Sequence, residues 1–355
     1  MRPTQNRETL SNVKTYTGFL LLIASAIPAS AQTTEPPKDA AQFDAMETRL
    51  FQLYRQANYA EAIKVAEDML KVRPKDAGTM YNMACLQCLS GRKDAALEWF
   101  EKSVSHGWCD ATHTERDPDF ATIRGDARFK QIVEKARQAL AERVAKPVWK
   151  THIPKGHDAA KPCGLIVALH AEMSNPADMI AAWAPVADKM GMIVVAPEAP
   201  QRLDEGRCQW TASSDSEKLV SAVLDAVRKE YKIDDARTVL TGFSDGGWMT
   251  FRMAADKPGA FRGLIPVAGH TANISASAFK RDSLKDVRAF IMIGGREPAA
   301  ALSGNRTVRR MLESAGATVT LETYPGVGHE FPKERDKELT RALEWVLGSE
   351  KPASP

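Results

Sequence analysis

One stretch constrains this chain more than any other: Arg237-Thr238-Val239-Leu240-Thr241-Gly242-Phe243-Ser244-Asp245-Gly246-Gly247-Trp248-Met249-Thr250-Phe251. Its first part is β-branched and apolar and predicts a buried strand. Its last part predicts a helix. Between them stands G-x-S-x-G, and strand, turn and helix are the context in which that motif presents a serine hydroxyl above a sheet. The reason is steric. The serine must sit on a tight, strained turn, and a side chain at Gly242 or Gly246 would collide with the neighbouring strand and helix. The helix that follows also aims its N-terminal amides and positive dipole end at the same point. An anion forming on an attacked carbonyl would be stabilised there.

A serine hydroxyl is a weak nucleophile by itself; it needs a base, and the base needs an orienting acid. Where the serine stands on such a turn, the others follow in the order serine, acid, histidine. Residues 149–153, 165–169, 192–197, 263–267, 289–293 and 319–323 read as further strands. Residues 177–190, 216–231, 301–315 and 334–347 read as helices between them. That alternation implies a mostly parallel sheet covered by helices on both faces, with ligands bound at the carboxyl ends of the strands. Glu297 lies in Gly294-Gly295-Arg296-Glu297-Pro298, directly after strand 289–293. His329 lies in Gly328-His329-Glu330-Phe331, after the last strand. Three segments thus reach one sheet edge in the required order. Asp245, Glu322 and Glu330 compete for the acid's place, but Glu297 alone leaves a strand end between the serine and the histidine. The oxyanion amides are expected from Asp245 and from Ala171, in the turn His170-Ala171-Glu172. Trp210 and Trp248 read either as walls of an acyl or aryl pocket or as core residues beside the sheet. His270 precedes the acid, the wrong order for the base, and reads as a loop histidine. His170 reads as ordering its own loop. The histidines show no metal-ligand spacing, and no cofactor is expected.

Residues 147–349 resemble α/β-hydrolase serine esterases, near the phospholipase/carboxylesterase and feruloyl or polyhydroxybutyrate esterase-like group. The resemblance rests on Tyr231-Lys232-Ile233-Asp234, on Arg237–Gly247, on Val194-Val195-Ala196-Pro197 and on Gly328-His329-Glu330-Phe331-Pro332. It implies Ser244 as nucleophile, Glu297 as acid and His329 as base, acting on a small-molecule or polymer-borne carboxylic ester. Three features depart from the pattern: Glu in place of the commoner Asp, Ala171 where Gly is frequent, and one clear strand before Leu165. Only 53 residues separate Ser244 from Glu297, too few for a large lid. Peptidases and acyltransferases share the triad. The reading from another class is a binding or assembly protein whose hydrolase domain is inert.

Residues 43–145 are helical in pattern. Tyr59-Ala60-Glu61-Ala62-Ile63 aligns with Lys93-Asp94-Ala95-Ala96-Leu97 at a spacing of 34, with small residues where paired helices cross. This resembles the tetratricopeptide repeat. Such arrays offer a surface to peptide or protein partners; the alternative is a packing platform for the second domain. Lys146-Pro147 marks the boundary. Residues 32–42 read as a polar, Pro-rich linker. Residues 1–31 read as a signal peptide: Arg2, Arg7 and Lys14 precede the apolar run 18–27, and Ala29-Ser30-Ala31 is a cleavage site before Gln32. An uncleaved anchor is the alternative. The expectation is an exported protein, periplasmic or secreted. Cleavage would remove three positive charges and Glu8, taking the net charge from +3 to +1, so electrostatics make no case for nucleic acid. No later stretch could span a membrane. Cys85, Cys88, Cys109, Cys163 and Cys208 are odd in number, so at least one is free or pairs between chains. Cys85 and Cys88 read as small buried helix residues. A Cys163–Cys208 bridge stays open.

Overall fold

The computed structural model describes residues 40–348 apart from 205 and 212. The expected signal peptide and most of the expected linker lie outside the described residues. Six α-helices come first: α1 (Ala40–Arg55), α2 (Tyr59–Val72), α3 (Ala77–Leu89), α4 (Lys93–His106), α5 (Ala111–Arg116) and α6 (Ala127–Ala145). Three-residue links join α1 to α2 and α3 to α4, short enough that each pair must run antiparallel. Ala62 and Ala96 are fully buried where these helices meet, and a larger side chain at either would part them. Asp76, Asp110 and Asp126 cap α3, α5 and α6 by accepting from the amides of Thr79, His113 and Arg128.

The remainder alternates strand and helix: β1 (Trp149–His152), β2 (Cys163–Leu169), α7 (Pro176–Met190), β3 (Met192–Pro197), β4 (Gln201–Asp204), β5 (Arg207–Gln209), α8 (Asp215–Glu230), β6 (Ile233–Phe243), α9 (Asp245–Asp256), β7 (Gly263–Val267), β8 (Arg288–Gly294), α10 (Ala299–Ser314), β9 (Thr318–Tyr324) and α11 (Arg335–Val346). Seven strands form one sheet in the order β1-β3-β2-β6-β7-β8-β9. Only β1 is antiparallel, pairing with β3 at one edge. The central strands β2, β3 and β7 are buried along their whole length, as unbroken apolar runs between two helical layers must be. α7 and α11 cover one face; α8, α9 and α10 cover the other.

The order reverses between β2 and β6. From β2 the chain moves outward to β3, then returns across β2 and continues outward through β6 to β9. The crevice at such a reversal is where open α/β sheets bind ligands. It lies between the turns that leave Leu169 and Phe243.

Sequence pattern missed one element, the hairpin of β4 and β5. Its short, polar strands carry no apolar alternation, so no strand signal arises. All five cysteines are buried free thiols, and no disulfide joins Cys163 to Cys208. Among the described residues no helix is long and apolar enough to cross a membrane. Cys85, Asp117 and Asp119 bring potential ligand atoms within 4.8 Å of one another. Their hydrogen bonds are internal, from the Tyr54 hydroxyl to Asp119 at 2.8 Å and from Tyr81 to Asp117 at 2.7 Å. Burial pushes the Cys85 thiol well up.

Candidate active site

Ser244 stands between β6 and α9 with φ 54° and ψ −113°. A non-glycine residue there is strained by roughly 1–3 kcal/mol, and neighbouring glycines make the turn feasible. A Cβ on Gly242 would lie 2.2 Å from the Gly246 carbonyl oxygen; one on Gly246 would lie 2.0 Å from the Leu169 oxygen. The turn is therefore pressed directly against the end of β2. Its amide donates to Val267 O at 3.0 Å, tying it to β7 as well.

His329 Nε2 lies 2.8 Å from Ser244 Oγ, and His329 Nδ1 lies 2.7 Å from Glu297 Oε1. An ionised carboxylate can only accept, so Nδ1 carries the ring proton and Nε2 is left to accept from the serine hydroxyl. The structure thus brings Ser244, Glu297 and His329 together. Side-chain exposures of 6% for Glu297 and 14% for His329 leave the pair little access to water. The two loops meet because β8 and β9 are neighbours. Gly295 N donates to Tyr324 O and Arg296 N to Val327 O, each at 2.8 Å. A Cβ on Gly294 would lie 2.1 Å from Gly328 O, so this close approach requires glycine. The other acids are engaged elsewhere. Asp245 Oδ1 bonds His270 Nε2 at 2.9 Å, Glu330 Oε1 accepts from Gly328 N at 3.4 Å, and Glu322 pairs with Arg341 at 3.5 Å.

Asp245 is the first residue of α9, and a first-turn amide has no acceptor inside its own helix. Ala171 follows β2 across the crevice. The peptides on either side of Ala171 are each held by a side chain. Trp210 Nε1 donates to His170 O at 2.8 Å. In a planar trans peptide the N–H points opposite to the C=O, so this bond turns the Ala171 amide away from Trp210. His170 Nε2 accepts from Ala199 N at 3.1 Å, which leaves Nδ1 protonated to donate to Ala171 O at 2.7 Å. Burial lowers the His170 pKa and keeps this ring neutral.

Both candidate pocket tryptophans are buried and hydrogen-bonded to loop carbonyls. Trp210 is 3% exposed and spends its indole N–H on the loop just described. Trp248 donates to Ala272 O at 2.9 Å and stacks on His270 with centroids 5.1 Å apart. His270, read as a loop histidine, bonds the side chain of the residue next to the nucleophile. Glu172 gave no signal in the sequence. It accepts from Gln209 Nε2 at 2.7 Å. Burial, reinforced by the carboxylates of Asp245 and Glu47, pushes it up to about 8.

Residues 179–346 match the phospholipase/carboxylesterase family. Among similar proteins, poly(3-hydroxyalkanoate) depolymerase C of Paucimonas lemoignei is 32% identical over 126 residues, 33% of this chain and 30% of that protein. Feruloyl esterase C of Emericella nidulans is 29% identical over 164 residues, 44% of this chain and 57% of that protein. The chain thus spans less than two thirds of either relative. The crystal structure of a Bacillus cereus carboxylesterase aligns at 22% identity and a TM-score of 0.45, over 59% of this chain and 98% of that one. The sheet and its helical layers are those of the α/β-hydrolase fold. The segment that matches the phospholipase/carboxylesterase family, residues 179–346, carries Ser244, Glu297 and His329.

Proposed function

We propose that this protein hydrolyses carboxylic esters through a Ser244–His329–Glu297 triad and an acyl-enzyme. The observation that carries the reading is the pair of short contacts at His329, 2.8 Å to Ser244 Oγ and 2.7 Å to Glu297 Oε1, at a strained turn on the switch point of the sheet. Ser244 Oγ attacks the ester carbonyl carbon as its proton passes to His329 Nε2. The carbonyl π electrons move to oxygen, where the amides of Asp245 and Ala171 hold the charge. Collapse breaks the C–O bond, and His329 Nε2–H protonates the leaving alcohol. Water then attacks the acyl-enzyme and gives its proton to Nε2. The second collapse releases the carboxylic acid and restores the Ser244 hydroxyl. Glu297 accepts from Nδ1–H throughout and stabilises the imidazolium at both stages.

A fluorophosphonate ester probe tests this reading on the folded protein. Phosphonylation at Ser244 is expected, located by peptide mass. A folded protein that stays unlabelled there is the inert module of the competing reading. Export belongs to the same proposal, supported by the basic, apolar and A-x-A segments of residues 1–31. Intact mass of protein recovered outside the cytoplasm should place the first residue at Gln32; a retained N-terminus refutes cleavage.

A further inference from the structure

We propose that the helical region 40–145 is a positioning element of the catalytic site: through Gln201, Gln209 and Glu172 it holds the loop that carries the Ala171 amide. The inference rests on the reading of Ser244 as the nucleophile. Its basis is a chain of hydrogen bonds that runs in one direction. The Asp110 amide, at the start of α5, donates to Gln201 Oε1 at 3.1 Å. Gln201 Nε2 donates to Gln209 Oε1 at 3.2 Å. Gln209 Nε2 donates to Glu172 Oε1 at 2.7 Å. Each glutamine turns its oxygen toward the helices and its nitrogen toward the loop, and Glu172 is the residue after Ala171. Gln201 and Gln209 stand opposite each other across the β4–β5 hairpin, and Gln201 is 2% exposed. Reversing the Gln201 amide would set its NH₂ against the Asp110 amide and its oxygen against Gln209 Oε1, donor facing donor and acceptor facing acceptor, so the direction is set by the whole run of bonds.

A separate group of contacts fastens the same hairpin to the helices. Arg207 of β5 pairs with Asp76, the N-cap of α3, and with Asp204 at 2.8 Å. Its guanidinium lies 4.8 Å from the ring centre of Phe43 in α1, and Arg73 lies 4.1 Å from that ring. Arg143 of α6 donates to Pro200 O. A Cβ on Gly107, at the end of α4, would lie 2.5 Å from Arg202 O. At its other side the hairpin joins the oxyanion loop through Cys208 N, which donates to Ser174 O at 2.8 Å. Trp210, one residue beyond β5, holds the His170 carbonyl. The hairpin is thus a lever between the helices and the loop. A loosened Ala171 amide would stabilise the transition state less while binding the ground-state ester about as well, so kcat should fall and KM stay nearly constant.

The test uses the full chain and a small soluble ester. Gln209→Leu keeps the volume and breaks two links; Glu172→Leu breaks the last one. Each should lower kcat about 10- to 100-fold, the scale of a displaced catalytic group. The inhibition constant of a boronic acid, which forms a tetrahedral oxyanion on Ser244, should rise by a similar factor. The double variant should be no worse than either single one, because both cut one chain. Glu172→Gln, which still accepts from Gln209, should recover most of the loss. Asp76→Asn keeps the α3 cap but removes the charge facing Arg207, and should lower kcat in the same sense from the helical side. If Gln209→Leu does not fold by circular dichroism, Glu172→Leu and Asp76→Asn carry the test. A folded Gln209→Leu, Glu172→Leu or Asp76→Asn with kcat and boronate inhibition within about twofold of the parent overturns the inference, since that is under 0.5 kcal/mol of transition-state stabilisation. A parent inactive on every ester, or Ser244→Ala as active as the parent, overturns the hydrolase reading instead.

Discussion

In Ser244→Ala, turnover of a soluble carboxylic ester should fall about 10⁶-fold, the scale seen when a serine nucleophile is removed from a triad. Without Oγ no acyl-enzyme forms, and His329 Nε2 loses its partner at 2.8 Å. What survives is the slow attack of water assisted by the amides of Asp245 and Ala171 and by substrate positioning. The fold should survive. Alanine keeps the Cβ that the turn already accommodates at φ 54°, and the turn's backbone bonds to Val267 and Trp248 do not involve the hydroxyl. Initial rates together with thermal melts of both proteins check the pair of claims. Residual activity above about a thousandth of the parent in a melt-matched variant would assign the chemistry to another nucleophile.

Glu297→Gln should lower kcat by two to four orders of magnitude, on the order of 10²–10⁴. The glutamine nearly matches the shape of Glu297 but has two ways to face His329 Nδ1. If its NH₂ faces Nδ1, the ring proton must sit on Nε2, and Nε2 cannot accept from Ser244. If its oxygen faces Nδ1, the tautomer is right but no charge stabilises the imidazolium. Either way KM should change little, because the lost interaction acts in the transition state. Steady-state rates normalised to active sites titrated with the fluorophosphonate check this. Activity within a few-fold of the parent would move the role to another carboxylate. Glu330 is the first to test, since it shares the loop of His329 and holds only a 3.4 Å contact to Gly328 N.

Much of this was legible along the chain. The apolar runs at 192–197 and 263–267 coincide with β3 and β7, and the other strands and helices of the sheet differ mainly at their ends. Continuous burial between two helical layers writes itself as continuous apolar sequence. Ser244, Glu297 and His329 were legible as candidates because each sits in a Gly-rich turn at a strand end. The glycines mark where backbones approach: Gly246 against Leu169, Gly294 against Gly328. Ala62 and Ala96 were legible for the same reason, as small residues where helices touch. Trp210, Gln201, Gln209 and Glu172 were not. Their roles depend on which carbonyl or amide lies across from them, and nothing local in Gln201-Arg202-Leu203-Asp204 or Arg207-Cys208-Gln209 announces a partner in α5 or after β2.

By itself the sequence determined the sheet, its helical layers and the identity of three polar residues at one sheet edge, because periodicity, glycine and chain order are properties of the chain taken locally. Tertiary structure alone decided how those residues meet and what holds them. The Nδ1 proton of His329 follows from Glu297 lying 2.7 Å away. The direction of the Ala171 amide follows from an indole that arrives 40 residues later. The link from the helical region to that loop needs four segments, α5, β4, β5 and the turn after β2, to come within hydrogen-bond reach at once. Hydrogen bonds act over about 3 Å and fix atoms that sequence separates by up to 131 residues, so only the folded chain could specify them.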